Sequence, residues 1–336
     1  MRIFVMGVSL LLALSVQAQP TSSLTRELAP AQQSLARLDY QTAHREYSRF
    51  ARSNPLAQFT LGMFEREGWG RPVNAVAACG WFEKAAARNI PAAQQFFGDC
   101  LAQGTGRPVD GPAAVYWYRK AGAAGIAPAL CSAGDLMISG ERVPQDVQQG
   151  LALCTSAAQA ESPRAMLHLG DLYSNGGAVP ADLPLARYWY DQAAQRHDHE
   201  AQFRLGIMLS EGQGGDAEPL KARFWLEHAA MEGYAPAYLP TAILYANAAP
   251  DAATGALTPQ DLAKVHMWNS AARASASNPA QLAEIDRIDQ LVATVMPPQW
   301  RPELDRQVAA HLAKFSPAAA AAAAGPAPQS PPGLTR

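Results

Sequence analysis

Residues 165–194 read AMLHLGDLYSNGGAVPADLPLARYWYDQAA, and their spacing decides the fold. Ala165, Leu169, Leu172 and Tyr173 recur at three-to-four spacing, which predicts an amphipathic helix. Gly176 falls where such a helix ends in a left-handed residue. Pro180 follows in the turn, and Asp182 is a good N-cap for a second helix. Pro184 lies in that helix's first turn, where a missing N–H costs nothing. The second helix then carries Ala186, the aromatic pair Trp189-Tyr190 and the alanines Ala193 and Ala194. The stretch reads as one helix–turn–helix unit.

Outward from it the unit recurs with a step of 36 residues. Gly62, Gly98, Gly134, Gly170 and Gly206 keep that step, as do Ala57, Ala93, Ala129, Ala165, Ala201 and Ala237. Trp81, Trp117, Trp189 and Trp225 keep it too, with Leu153 in the gap. Small residues at Ala78, Ala114, Gly150, Ala186 and Ala222 predict close helix approach, with the Trp filling the groove beside them. One such unit cannot bury its apolar face alone, so stacked neighbours bury it together.

The pattern resembles the Sel1-like repeat family, relatives of the tetratricopeptide repeats, most clearly over residues 165–194 and in all over about 55–274. With it, the expected fold is an all-α, right-handed α-solenoid of about six helix–turn–helix repeats, at 55–90, 91–126, 127–161, 162–197, 198–234 and 235–274. The sixth unit departs from the pattern: Ala242 replaces the glycine, and Ala248 to Leu257 is inserted before a fresh helix start at Thr258-Pro259-Gln260-Asp261. Residues 19–54 and 275–315 read as helical caps, which keep the terminal apolar faces from water. The Ala- and Pro-rich tail, 316–336, has little to bury and is expected to be disordered.

At the other end, Arg2 precedes an apolar stretch from Ile3 to Leu14, and Val16-Gln17-Ala18 supplies small residues for cleavage. Twelve apolar residues span only ~18 Å as a helix, short of a ~30 Å hydrocarbon core. Residues 1–18 are therefore expected to be a signal peptide rather than an uncleaved anchor. The mature chain is then exported without membrane insertion, to a bacterial periplasm in the first place and the extracellular space in the second.

Of the 336 residues, 49% are hydrophobic and 17% charged, which excludes a chain kept disordered by charge. A net charge of −2 leaves no basic footprint for nucleic acid. Searches for a nucleophile find no GxSxG, no serine three residues before a lysine and no HExxH. His197-Asp198-His199 would bind zinc only with a third ligand from elsewhere, and a solvated turn is the simpler reading. No catalytic residue, cofactor or metal is expected.

In related solenoids the first helices line the concave surface, which the resemblance therefore makes the expected binding face. Its variable positions carry Phe96, Ser132, His168 and Arg204 in one register and Asp99, Asp135 and Asp171 in another. The aspartates are expected to form an exposed ladder, one per repeat, whose negative potential favours a basic protein or peptide segment. The alternative is a solvated face without a partner. Four cysteines complete the inventory. Antiparallel helices bring level those residues equidistant from the connecting turn, which pairs Cys79 with Cys100 between repeats and Cys131 with Cys154 within one; four buried thiols are the alternative. The whole reads as a non-catalytic exported scaffold for a protein partner in the cell envelope. The alternative is an enzyme or binder of envelope glycan.

Overall fold

The computed structural model describes residues 23–316, so the expected signal peptide and the tail beyond residue 316 lie outside the described residues. A cap of three helices, α1 (Ser23–Glu27), α2 (Ala29–Ala36) and α3 (Tyr40–Phe50), opens the chain. Five hairpins of near-equal length follow. They are α4 (Pro55–Glu67) with α5 (Ala75–Ala87), α6 (Pro91–Gln103) with α7 (Gly111–Ala123), and α8 (Ala127–Ser139) with α9 (Val147–Gln159). The last two are α10 (Pro163–Asn175) with α11 (Leu183–Ala194), and α12 (His199–Glu211) with α13 (Pro219–Met231). A sixth pair, α14 (Tyr238–Ala246) and α15 (Pro259–Ser275), is set apart by the inserted loop. Two helices, α16 (Pro279–Val295) and α17 (Arg301–Lys314), close the stack. Through α16 each helix packs chiefly on its neighbours in sequence, as an α-solenoid requires, whereas α17 folds back onto α15.

The hairpin turns follow from local chemistry. Gly68, Gly104, Gly140 and Gly212 end their helices with φ near +70° and small positive ψ, a conformation that only glycine adopts freely. Gly176 shares the positive φ but leaves α10 with ψ −159°. Asn74, Asp110, Asp146 and Asp182 then cap the second helices, each accepting a backbone N–H three residues on at 2.9–3.0 Å. Asp198, in the candidate His-Asp-His turn, does the same for α12, while His197 takes the left-handed φ of +62°. That turn's residues are thus occupied in shaping the chain.

Why the mid-helix glycines recur is visible in the packing. A Cβ on Gly62 would lie 2.5 Å from the Phe82 ring, one on Gly98 2.6 Å from Tyr118, and one on Gly170 2.5 Å from Tyr190. These are the residues after the Trp ladder. They are the buried ones: Phe82 is 1% exposed, Tyr118 4%, Tyr190 2% and Leu226 1%. Trp81, Trp117, Trp189 and Trp225 are only half-buried. The expectation that the Trp fills the groove is therefore corrected by one residue, a turn of about 100° around the helix. In the third repeat two glycines meet instead, Gly134 against the Gly150 backbone, and α8 and α9 run especially close.

A device that the sequence reading missed also repeats. Gln58, Gln94 and Gln202 are buried at the same register of α4, α6 and α12. Each donates from its amide to a carbonyl near the end of the preceding helix, Ala51 at 2.8 Å, Ala86 at 3.5 Å and Ala194 at 3.2 Å. The amides of Gln94 and Gln202 add to the turn N–H groups of Asn89 and His197, which reach the same two carbonyls at 3.0 Å, and so tie each first helix to the end of the helix before it.

Candidate partner-binding groove

The first helices of four successive repeats, α4, α6, α8 and α10, line one groove of about 290 Å³. It brings together Phe96, Asp99, Ser132, Asp135 and His168 from the expected face, and adds Arg66 and Arg164. Asp171 and Arg204 continue the same registers one repeat on, outside the groove proper. Phe96 is half structural: it stacks at 5.0 Å on Phe82 and at 6.0 Å on Phe59. The Arg66 guanidinium also lies over this ring, 4.3 Å from its centroid, where the ring quadrupole attracts a cation.

The aspartate ladder differs from the exposed row that was expected. Tyr118 donates to Asp99 and Tyr190 to Asp171, each at 2.7 Å. Both tyrosines come from the buried register of the second helices, so each carboxylate is half-buried and tied to its own hairpin. Burial, and then the adjoining carboxylate, push both phenols far above their ordinary pKa. Asp99 is itself raised, mainly by burial, against the lowering effect of the Tyr118 hydrogen bond. Where the first-helix residue is apolar, so is its partner: Met63 goes with Phe82, and Ile207 with Leu226. The two registers thus change together from repeat to repeat along the sequence.

The third repeat puts Cys154 where the tyrosine would be, and Asp135 turns to the next repeat. Its Oδ1 lies 2.5 Å from His168 Nε2. This contact first, and the charges of Asp135 and Asp171 beside it, raise the His168 pKa against the opposing effects of burial and Arg164. Arg204 pairs with Glu200 at 3.1 Å and also feels Asp171. Cations thus alternate with the aspartates along the face. A uniformly negative potential, and with it the preference for a purely basic partner, does not follow from this arrangement.

The cysteines stand in the pairs that helix geometry gives. Cys79 on α5 meets Cys100 on α6 with Cα atoms 5.9 Å apart, and Cys131 on α8 meets Cys154 on α9 at 4.0 Å. The first joins two repeats. The second closes one hairpin and forms part of the groove floor.

The Sel1 repeat profile matches five consecutive segments, residues 55–90, 91–126, 127–162, 163–198 and 199–234. The chain belongs to the Sel1 repeat family. Its third and fourth segments end one residue later than the spacing suggested, and the sixth hairpin is not matched. Among solved structures it is similar to a Sel1 repeat protein from Oxalobacter formigenes, at 27% identity and a TM-score of 0.58, over 74% of this chain and all of that one. It is also similar to a protective antigen of uropathogenic Escherichia coli strains with the same repeat fold, at 25% identity and a TM-score of 0.56. That likeness covers 85% of this chain and 61% of the antigen. No curated protein sequence gives a significant match. Sel1 repeats typically mediate protein–protein interaction, and the family generally works without catalysis. Among the described residues no helix is long and apolar enough to cross a membrane.

Proposed function

We propose that this chain is an exported, non-catalytic scaffold that holds an extended segment of a partner protein along the first-helix groove, in the cell envelope. The observation that carries the reading is the groove itself, to which three consecutive repeats contribute side chains of the variable registers and a fourth contributes Arg66. Stacked repeats create extended concave surfaces of the kind that solenoids use for binding. With Arg66 and Arg164 set among Asp99, Asp135 and His168, the groove suits a segment bearing both signs of charge. The apolar stretch before Ala18 and the two cysteine pairs support export, since disulfides persist in oxidising compartments.

The test is a pull-down from envelope extract with the full chain as bait, beside an Arg164→Glu/Ser132→Tyr variant of unchanged helicity. The reading expects partners retained by the native groove and lost with the variant. Equal recovery by both baits would move the binding surface elsewhere. A second reading rests on one observation: Tyr116, Tyr188 and Phe224 are 59%, 51% and 52% exposed at one register of the second helices. Such a row of aromatic faces could stack on sugar rings. Retention of the chain on insoluble cell-wall glycan, lost on Tyr188→Ala, would favour it.

A further inference from the structure

Beyond partner binding, the groove floor gathers metal-ligating chemistry. Cys131 and Asp135 lie one turn apart on α8, Cys154 faces them from α9, and His168 reaches over from α10. One ligand atom of each falls within 4.8 Å of all the others, the only such group of three or more among the described residues. Tetrahedral zinc, with bonds of about 2.0–2.3 Å, sets its ligand atoms roughly 3.3–3.8 Å apart, so modest side-chain movement completes a site. Cys154 is fully buried and Cys131 is 5% exposed. The Asp135 and His168 side chains are 44% and 35% exposed, which leaves an entry path from the groove.

A second observation points the same way. His168 Nε2 is shielded from solvent at 2.5 Å from Asp135 Oδ1, so an imidazole and a carboxylate already meet beside the cysteine pair. Zinc would take the place of the proton that this pair shares.

We infer that the reduced chain binds one zinc ion here, through the Cys131 and Cys154 thiolates, His168 and Asp135, and that the disulfide and the metal are alternative states of this corner. Reduction by a dithiol breaks the S–S bond: the reductant supplies two electrons and two protons, closes its own disulfide and leaves two protein thiols. Zinc then forms two S–Zn bonds as both thiols release their protons to water. Two sulfurs, an imidazole and a carboxylate suit borderline-soft zinc and disfavour the hard, oxygen-seeking calcium and magnesium. The Cys79–Cys100 pair has no such neighbours and would stay a plain bridge. Zinc at this point would also change the charge of the groove midway along its length.

Cobalt(II) titration of the full chain, oxidised or reduced with a phosphine, tests the inference by absorbance. The reduced chain is expected to take up one equivalent with thiolate-to-cobalt charge-transfer and tetrahedral bands, which zinc abolishes, and the oxidised chain none. His168→Ala should weaken zinc binding at least about tenfold. Zinc should also shield Cys131 and Cys154, but not Cys79 and Cys100, from alkylation in the reduced native sequence. That mapping decides the matter alone if His168→Ala fails to fold. No charge-transfer band, bands unaltered by His168→Ala in a folded variant, or protection of Cys79 and Cys100 instead would overturn it.

Discussion

Asp99 and Asp171 are held by tyrosines of their own hairpins, so these carboxylates have a share in stability as well as in the charge of the groove. Hydrogen bonds to charged groups are worth about 1.5–3 kcal/mol, so Tyr118→Phe and Tyr190→Phe should each cost roughly 1–2 kcal/mol in urea unfolding. A loss within error for both would return the aspartates to the role of free surface charges. Burial holds the folded Asp99 carboxyl above its ordinary range. Folding therefore favours its protonated form: this contribution is fullest below the ordinary carboxylate pKa and is lost as pH rises through the folded value. Asp99→Asn should flatten that part of the stability–pH curve, and an unchanged curve would deny the burial effect. Gly98→Ala should be costlier than a surface change, by about 1–3 kcal/mol, since its Cβ would meet the Tyr118 ring at 2.6 Å. The glycine register was legible because one steric demand recurs every 36 residues. The Asp–Tyr bond, whose partners lie 19 residues apart on different helices, shows in the sequence only through the paired change of the two registers from repeat to repeat.

At the scale of the helices, turn chemistry was the most legible feature. An aspartate or asparagine cap and a terminal glycine act over three or four residues, so local sequence determines them. Which face of a helix is buried was harder to read. The Trp ladder is conspicuous, yet the neighbouring register carries the burial, because the glycine opposite admits Phe82, Tyr118 and Tyr190. The cysteine pairs were within reach, since level positions on antiparallel helices follow from counting. The cluster of Cys131, Asp135, Cys154 and His168 was not, because it spans three helices and follows no motif spacing. In the chain-entropy model, closing loops of this size stabilises by about 3 kcal/mol each. Non-reducing peptide maps of protein from an oxidising compartment should show Cys79–Cys100 and Cys131–Cys154, with a lowered melting temperature after reduction. Crossed pairs would contradict the helix stacking described for α5 to α9, and four free thiols would contradict the bridges themselves.

Across the whole molecule the repeats form one continuous surface, and the ends are sealed by different means. At the C-terminal end His311 is 8% exposed, 3.1 Å from the Tyr238 hydroxyl, and Phe315 rests against Gly233. Truncation before Arg301 should therefore lower the melting temperature by several degrees, whereas truncation after Ser316 should leave it within error; equal effects would deny the capping role of α17. Repeat number and register were legible in the sequence because stacking imposes a period, whereas the balance of charge in the groove depends on which side chains turn toward one another. The central claim is that the first helices hold the partner. A photo-reactive residue at Ser132, in the groove, or at Tyr116, on the second-helix face, tests it most directly after irradiation in intact cells. The account predicts a discrete cross-linked protein from position 132 and none from position 116. Cross-links to one protein from position 116 alone would contradict it.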